Sequence, residues 1–464
     1  MPRTHARTDV RTDAMTTPST FSRPPLAASA AAAALIALAA CGGGGASASA
    51  RGGTVPPPPK ITKSEAAVAR EQPRREVSKD TRSDFDGAVQ LFTATDKAHG
   101  WNDSACRQSA DRFQAVARAH PELVEAQAMV GVSYQRCGIL DDAERAYRQV
   151  LQTKPNHGAS LSNLGEIYFR TGRVSEARQY WESAIKANGR LVGARIGLAT
   201  LELEQMRKIG NPKDATWKKL EEDARFNLSN ALGADSDNVA AYTVYGLVYM
   251  EGSQTNKNRL DLARLLLDEA AKRNEKYAPL QNAYGLLYMR RASINQALAA
   301  FNAAVEIDPR FVEARINVGQ LTLGFRKYDT ARDMFSKAIE LAPKNYDAYI
   351  GLGIALRGLK DLDGAEAQYK KAMDLDPKRG EAYYNLAILY KEFRSSKEDF
   401  VASYKKAKDY FQQFLTMQAD QADKNEAKEQ IAMIDKTVQN FLKAPPPPPA
   451  APAAAPASPP AQQP

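Results

Sequence analysis

The sequence has very few of the residues that usually carry chemistry. Cysteine occurs three times in 464 residues, at Cys41, Cys106 and Cys137. Three thiols cannot build a disulfide framework. The four histidines, His5, His99, His120 and His157, lack metal-ligand spacing. No glycine-rich phosphate loop, nucleophile elbow or Cys-x-x-Cys motif occurs. No catalytic residue, cofactor-binding residue or metal ligand can be singled out, and the chain reads as a non-enzyme without a cofactor. A concentrated basic surface is also missing. The 63 Lys and Arg are interleaved with 54 Asp and Glu, giving a formal charge of +9. With no basic stripe holding interleaved aromatics, nucleic acid is not an expected partner.

A membrane-spanning run is likewise absent. The mostly alanine run Leu26–Ala40 is 15 residues long, against about 20 for a spanning helix. Preceded by Arg23, it suits the central region of a secretory signal, so residues 1–40 read as a signal peptide. Starting at Met15 gives a signal of ordinary length, and residues 1–14 are then expected not to be translated. The run ends in Leu38-Ala39-Ala40-Cys41, which resembles the bacterial lipobox. The resemblance implies lipidation of Cys41 and anchoring in a bilayer. Gly42 rather than Asp follows, which by that analogy implies the outer membrane, periplasmic side, with surface exposure left open. Residues 41–83 read as a lipidated tether, flexible in "GGGGASASARGG" and stiff in "PPPP". Forty flexible residues span roughly 35 Å. From Ala444 to Pro464 the chain is proline- and alanine-rich and uncharged. It reads as a disordered spacer or a docking peptide for a proline-binding partner.

Between these ends the sequence repeats. Gly285, Gly319 and Gly353 are 34 residues apart. The same spacing joins Ala297, Ala331 and Ala365, then Phe301, Phe335 and Tyr369, then Ala304, Ala338 and Ala372, then Pro309, Pro343 and Pro377. Apolar positions three and four apart place these columns on helical faces, and the prolines end helices. Five columns in register resemble the tetratricopeptide repeat (TPR). The resemblance implies an all-α fold of helix pairs stacked into a right-handed superhelix. In that register about nine repeats run 84–123, 124–157, 158–191, 192–238, 239–277, 278–311, 312–345, 346–379 and 380–421. A capping helix at 422–443 closes the array, because terminal units must present a polar outer face. Inserts fall between the paired helices near "KIGNPKDATW", "GSQTNKN" and "RSSKEDF".

The resemblance carries two further expectations. It places Cys106 near the start of one helix and Cys137 near the end of its antiparallel neighbour. A disulfide is then expected in an oxidising compartment, closing about thirty residues and contributing roughly 3 kcal/mol. It also makes the first helix of each repeat the lining of a concave, partner-binding groove. The lining residues are then Arg136, Glu166, Phe169, Arg170, Leu247, Met250, Asn282, Leu286, Met289, Ile316, Gln320, Leu323, Ile350, Ile354, Tyr384 and Ile388. An apolar strip with methionines suits an adaptable protein-binding surface. The basic and asparagine pairing with which TPR cochaperones clamp an acidic C-terminus is not recognisable.

The layout resembles the TPR lipoproteins of type IV pilus and myxobacterial gliding-motility machines. The expected function is therefore a membrane-anchored periplasmic scaffold that helps assemble an envelope machine from protein partners. The rival expectations are an adaptor for peptidoglycan-modifying enzymes and a TPR enzyme or glycan-binding protein.

Overall fold

A computed structural model describes residues 78–98, 100–395, 400–417 and 421–443. The signal peptide, Cys41, most of the tether and the Pro/Ala-rich tail lie outside the described residues. The described residues contain no strand. Helices pair in sequence as Lys79–Lys97 with Asp103–Ala119, Val124–Arg136 with Leu140–Thr153, and Gly158–Arg170 with Val174–Ala187. There follow Val192–Ile209 with Ala215–Ala234, Val239–Glu251 with Arg259–Arg273, and Ala278–Arg290 with Ile294–Ile307. The last pairs are Val312–Gly324 with Tyr328–Leu341, Tyr346–Gly358 with Leu362–Leu375, and Glu381–Ile388 with Phe400–Leu415. A π-helical stretch, Leu389–Arg394, extends the first helix of the last pair, and helix Gln421–Lys443 packs on the end.

The repeated columns correspond to one recurring contact. A Cβ on Gly165 would lie 2.5 Å from the Trp181 ring, on Gly285 2.4 Å from Phe301, on Gly319 2.8 Å from Phe335, and on Gly353 2.4 Å from Tyr369. Each aromatic is therefore seated on the glycine sixteen positions before it, in the same repeat. Some also reach forward: Trp181 meets Gly197 and Phe335 meets Gly351, where an added Cβ would lie 2.4 Å and 2.3 Å from the ring. The aromatic thus joins the two helices of its own repeat and fills the space before the next. Alanines 177, 297, 331 and 365 are fully buried beside them, since only a small side chain permits this helix approach.

Capping residues begin the helices. The side chains of Asn102, Asp214, Asn238 and Asn345 each accept from a backbone N–H three residues on, satisfying donors with no intrahelical partner. The second helices at Ile294, Tyr328 and Leu362 end two residues before Pro309, Pro343 and Pro377. The turn inside a repeat passes through a left-handed residue, Gly138 at φ 74° and Gly172 at φ 78°, but Ala292, Arg326 and Lys360 in later repeats.

The array begins earlier than expected. Residues 79–83, assigned to the tether from sequence, form the first turn of helix Lys79–Lys97. Ser78 caps that turn by accepting from the Thr81 N–H, and buried Thr81 contacts His120 Nδ1 at 3.0 Å. The insert at "KIGNPKDATW" lengthens both helices of its repeat to 18 and 20 residues. It buries Trp217 in one cluster with Leu203, Met206 and Leu228. Cys106 and Cys137 are disulfide-bonded with Cα atoms 6.3 Å apart, tying helix Asp103–Ala119 to the end of helix Val124–Arg136.

Candidate partner-binding groove

The expected lining residues divide into two groups. Leu247 and Met250 are 1% exposed and pack in a cluster with Ile196, Leu203, Met206 and Leu287. They join successive first helices side to side and do not line an open groove. Ile316 is likewise buried, against Phe335, Ala348 and Leu352. Tyr384 and Ile388 are covered by Phe411 and Phe414 and by the C-terminal helix through Ala427 and Ile434. The Tyr384 hydroxyl donates to Glu426 on that helix. Asn282 is buried and its Oδ1 accepts from Asn317 Nδ2 of the next repeat at 2.8 Å. These six residues are structural. Arg136, Glu166, Phe169, Arg170, Leu286, Gln320, Leu323, Ile350 and Ile354 keep partial exposure, and Met289 is exposed.

Among the residues that stay open, Arg136, Glu166 and Arg170 converge on a cavity of about 310 Å³. Its walls come from four successive first helices and the turn before the fourth. They include Val132 and Gln135, then Ser162 and Asn163, then Val192 and Ile196, then Asn238 and Ala240. Gly193 and Gly197 present no side chain on one wall, and Trp181 lies beneath, its indole N–H donating to the Ser162 carbonyl. Asn163 donates to the Tyr147 hydroxyl, which donates to Gln135 Oε1. This chain leaves the Asn163 carbonyl oxygen and the Gln135 amide without a role in it.

The charges in the cavity are incompletely compensated. Arg136 pairs with Asp96 at 3.3 Å and lies over the Phe92 ring. Its Nε is nonetheless buried without a hydrogen-bond partner, and burial lowers the guanidinium to about 10. Glu166 Oε1 is also buried without a partner, and burial raises that carboxyl to about 7, against a smaller opposing pull from Arg170. The surroundings extend across the superhelix. Glu313, four positions past Pro309 and four repeats on, is likewise pushed up to about 7 by burial, with Asp308 adding and Arg170 opposing. The buried Tyr277 hydroxyl has no partner and is raised first by burial and then by the Glu166 charge. The inner face of repeat 158–191 is therefore electrostatically linked to Tyr277 and Glu313, at the beginnings of later first helices.

Sequence reasoning identified Arg136, Glu166 and Arg170 by register. It missed Gln135, Asn163, Tyr277 and Glu313. Asn163 sits three residues before Glu166 on one helical face, a spacing that could have flagged it. Tyr277 and Glu313 are joined to the site by the curvature of the array, which leaves no local trace.

Stacked helix hairpins with a concave inner face define an α-solenoid. Three stretches of this one, residues 131–190, 278–311 and 323–387, match tetratricopeptide repeat profiles. Those three stretches carry tetratricopeptide repeats. No curated protein matches the sequence. Among solved structures it is similar to the APC/C hetero-tetramer Cut9–Hcn1, at 15% identity and a TM-score of 0.50 over 70% of this chain. The overlay spans 59% of that chain, less than two thirds of its length. It is also similar to Pseudomonas aeruginosa PilF, at 17% identity over 51% of this chain and 99% of that one, with a TM-score of 0.37. YrrB, described as a TPR protein with an unusual peptide-binding site, shares 19% identity over 44% of this chain and 97% of its own, with a TM-score of 0.34. The likeness to Cut9–Hcn1 concerns the fold alone.

No helix among the described residues is long and apolar enough to cross a membrane. No group of three or more His, Cys, Asp or Glu among them could hold a metal ion.

Proposed function

We propose that this protein is a lipid-anchored periplasmic scaffold that binds protein partners along its concave face and helps assemble an envelope machine. A gliding-motility or type IV pilus complex is the preferred setting. The observation that carries the binding role is the inner-face cavity, where Arg136 Nε and Glu166 Oε1 are buried without a hydrogen-bond partner. A buried polar atom without a partner is costly, and a ligand that supplies one recovers that cost. The Cys106–Cys137 bond supports an oxidising compartment. The lipobox at Cys41 supports anchoring, and three acyl chains at ~0.8 kcal/mol per buried CH2 would hold the protein permanently.

Two measurements test this reading. Labelled palmitate should enter the wild-type protein and not Cys41→Ser. Crosslinking with mass spectrometry on intact cells should recover motility or pilus components through residues of the inner face. Absence of label would remove the anchored scaffold, and recovery of wall synthases or hydrolases instead would favour the peptidoglycan adaptor.

A further inference from the structure

The C-terminal helix Gln421–Lys443 covers the last repeat through Ala427 and Ile434 and, apart from Met433, turns polar residues such as Asn425, Lys428, Glu429 and Lys436 outward. An end-capping helix is expected to do this. Its last turn departs from the rule. Phe441 is 54% exposed and Leu442 67%, two adjacent large apolar residues at the end of the last described helix.

Phe441 is the outer member of a short ladder of rings. The last two helices run antiparallel, since Phe400 meets Phe441 while Lys408 pairs with Asp435 at 2.6 Å. The Phe441 and Phe400 rings stack with centroids 4.5 Å apart. Tyr404, one turn further along its helix, lies 4.4 Å from Phe400. Phe400 and Tyr404 are half-buried, so the ladder is open to water mainly at Phe441. The sequence that follows directly is residues 444–464, with ten prolines and no charged side chain. Proline-rich segments dock on aromatic-lined surfaces, and an uncharged one needs no counter-charge there.

We infer that the chain's own C-terminal tail, through Pro456 and Pro459, seats on the Phe441–Phe400–Tyr404 ladder. These prolines are three residues apart, one turn of polyproline II or ~9 Å. Two ring spacings of the ladder come to nearly that length. The reach is also sufficient. Pro445–Pro449 carry the chain away from Lys443 by ~15 Å in polyproline II. Residues 450–455, at up to ~3.5 Å each, are long enough to bring it back. A segment tethered this closely meets the rings at ~mM effective concentration, which favours it over a second copy or a free partner. Seating it removes the apolar surface of Phe441 and of the proline rings from water. The docked tail completes the cap and withholds its prolines from outside partners.

The test uses the purified full chain with Phe441→p-benzoylphenylalanine, a photo-crosslinking residue that keeps an aromatic ring at the exposed end of the ladder. Irradiation should join position 441 to residues 452–460 of the same polypeptide, read by mass spectrometry of the monomer band. The comparison chain also carries Pro452→Gly, Pro456→Gly, Pro459→Gly and Pro460→Gly, with the tail length unchanged. Its crosslink yield should fall at least about fivefold, to that of a tether which only passes by. Glycine loosens the tail and eases its approach, so a fall reports lost docking. An equal yield in the glycine chain would reduce the contact to proximity and overturn the inference. Crosslinks found only in a dimer band would assign the ladder to a second copy and overturn it too, as would the absence of any tail crosslink.

Discussion

At the scale of single residues, the turn inside each repeat shows where the repeated pattern is imperfect. Its left-handed position holds glycine at 138 and 172 but Ala292, Arg326 and Lys360 later. An L-residue there is opposed by its own Cβ, at roughly 1–2 kcal/mol, while glycine loses about 0.5–1 kcal/mol of unfolded-state freedom. Arg326 is exposed. Arg326→Gly should therefore stabilise the array by ~0.5–1 kcal/mol, read as a higher midpoint in urea denaturation. The five repeating columns were legible in the sequence because each one marks a packing contact or a helix end that recurs in every one of these repeats. The glycine–aromatic pairs at 165 and 181, 285 and 301, and 319 and 335 are of this kind. The orphaned oxygen of Glu166 was not legible, because its surroundings include Tyr277 and Glu313, more than a hundred positions away.

Among elements, the two lengthened repeats are joined by charge as well as by apolar packing. Arg207, Glu251 and Arg290 link three successive first helices, with Arg207 Nε 2.6 Å and Arg290 2.9 Å from the Glu251 carboxylate. The Glu251 carboxyl is held below its ordinary value, since the two arginines outweigh burial. Glu251→Ala would leave Arg207, 7% exposed, as an uncompensated buried cation. The expected loss is about 3 kcal/mol, concentrated in residues 192–290 and readable as faster amide hydrogen exchange there. Because stacked repeats contact mainly their neighbours, distant repeats should keep their protection. At this scale the sequence reveals which helices line the inner face and not which of their residues remain open. Leu247 and Met250 occupy lining positions by register, yet the long helices of repeat 192–238 bring Met206 and Leu203 into their cluster and bury them. Tyr384 and Ile388 are closed off by the C-terminal helix, whose docking face the repeat pattern does not specify.

For the whole molecule, the buried glutamates set the response to pH. Glu166, Glu202 and Glu313 are each raised by burial to about 7 from 4.5. Between those values the folded chain holds protons that the unfolded chain has released. Stability from these groups is therefore full below about pH 4.5 and declines as pH rises through 7. Glu251 acts in the opposite sense, and its contribution is lost only as pH falls below its ordinary range. Thermal midpoints should accordingly fall between pH 5 and pH 8. In Glu202→Gln the slope should be shallower. The Cys106–Cys137 bond adds a mechanical property to this solenoid. If the two chain ends are pulled apart, the force passes across the sulfur–sulfur link and bypasses residues 107–136. That loop, with most of helix Asp103–Ala119 and all of helix Val124–Arg136, bears no tension while the bond is intact. About 100 Å of chain, at ~3.5 Å per extended residue, is thereby withheld from extension. The pulled array would lengthen only from residues before Cys106 and after Cys137.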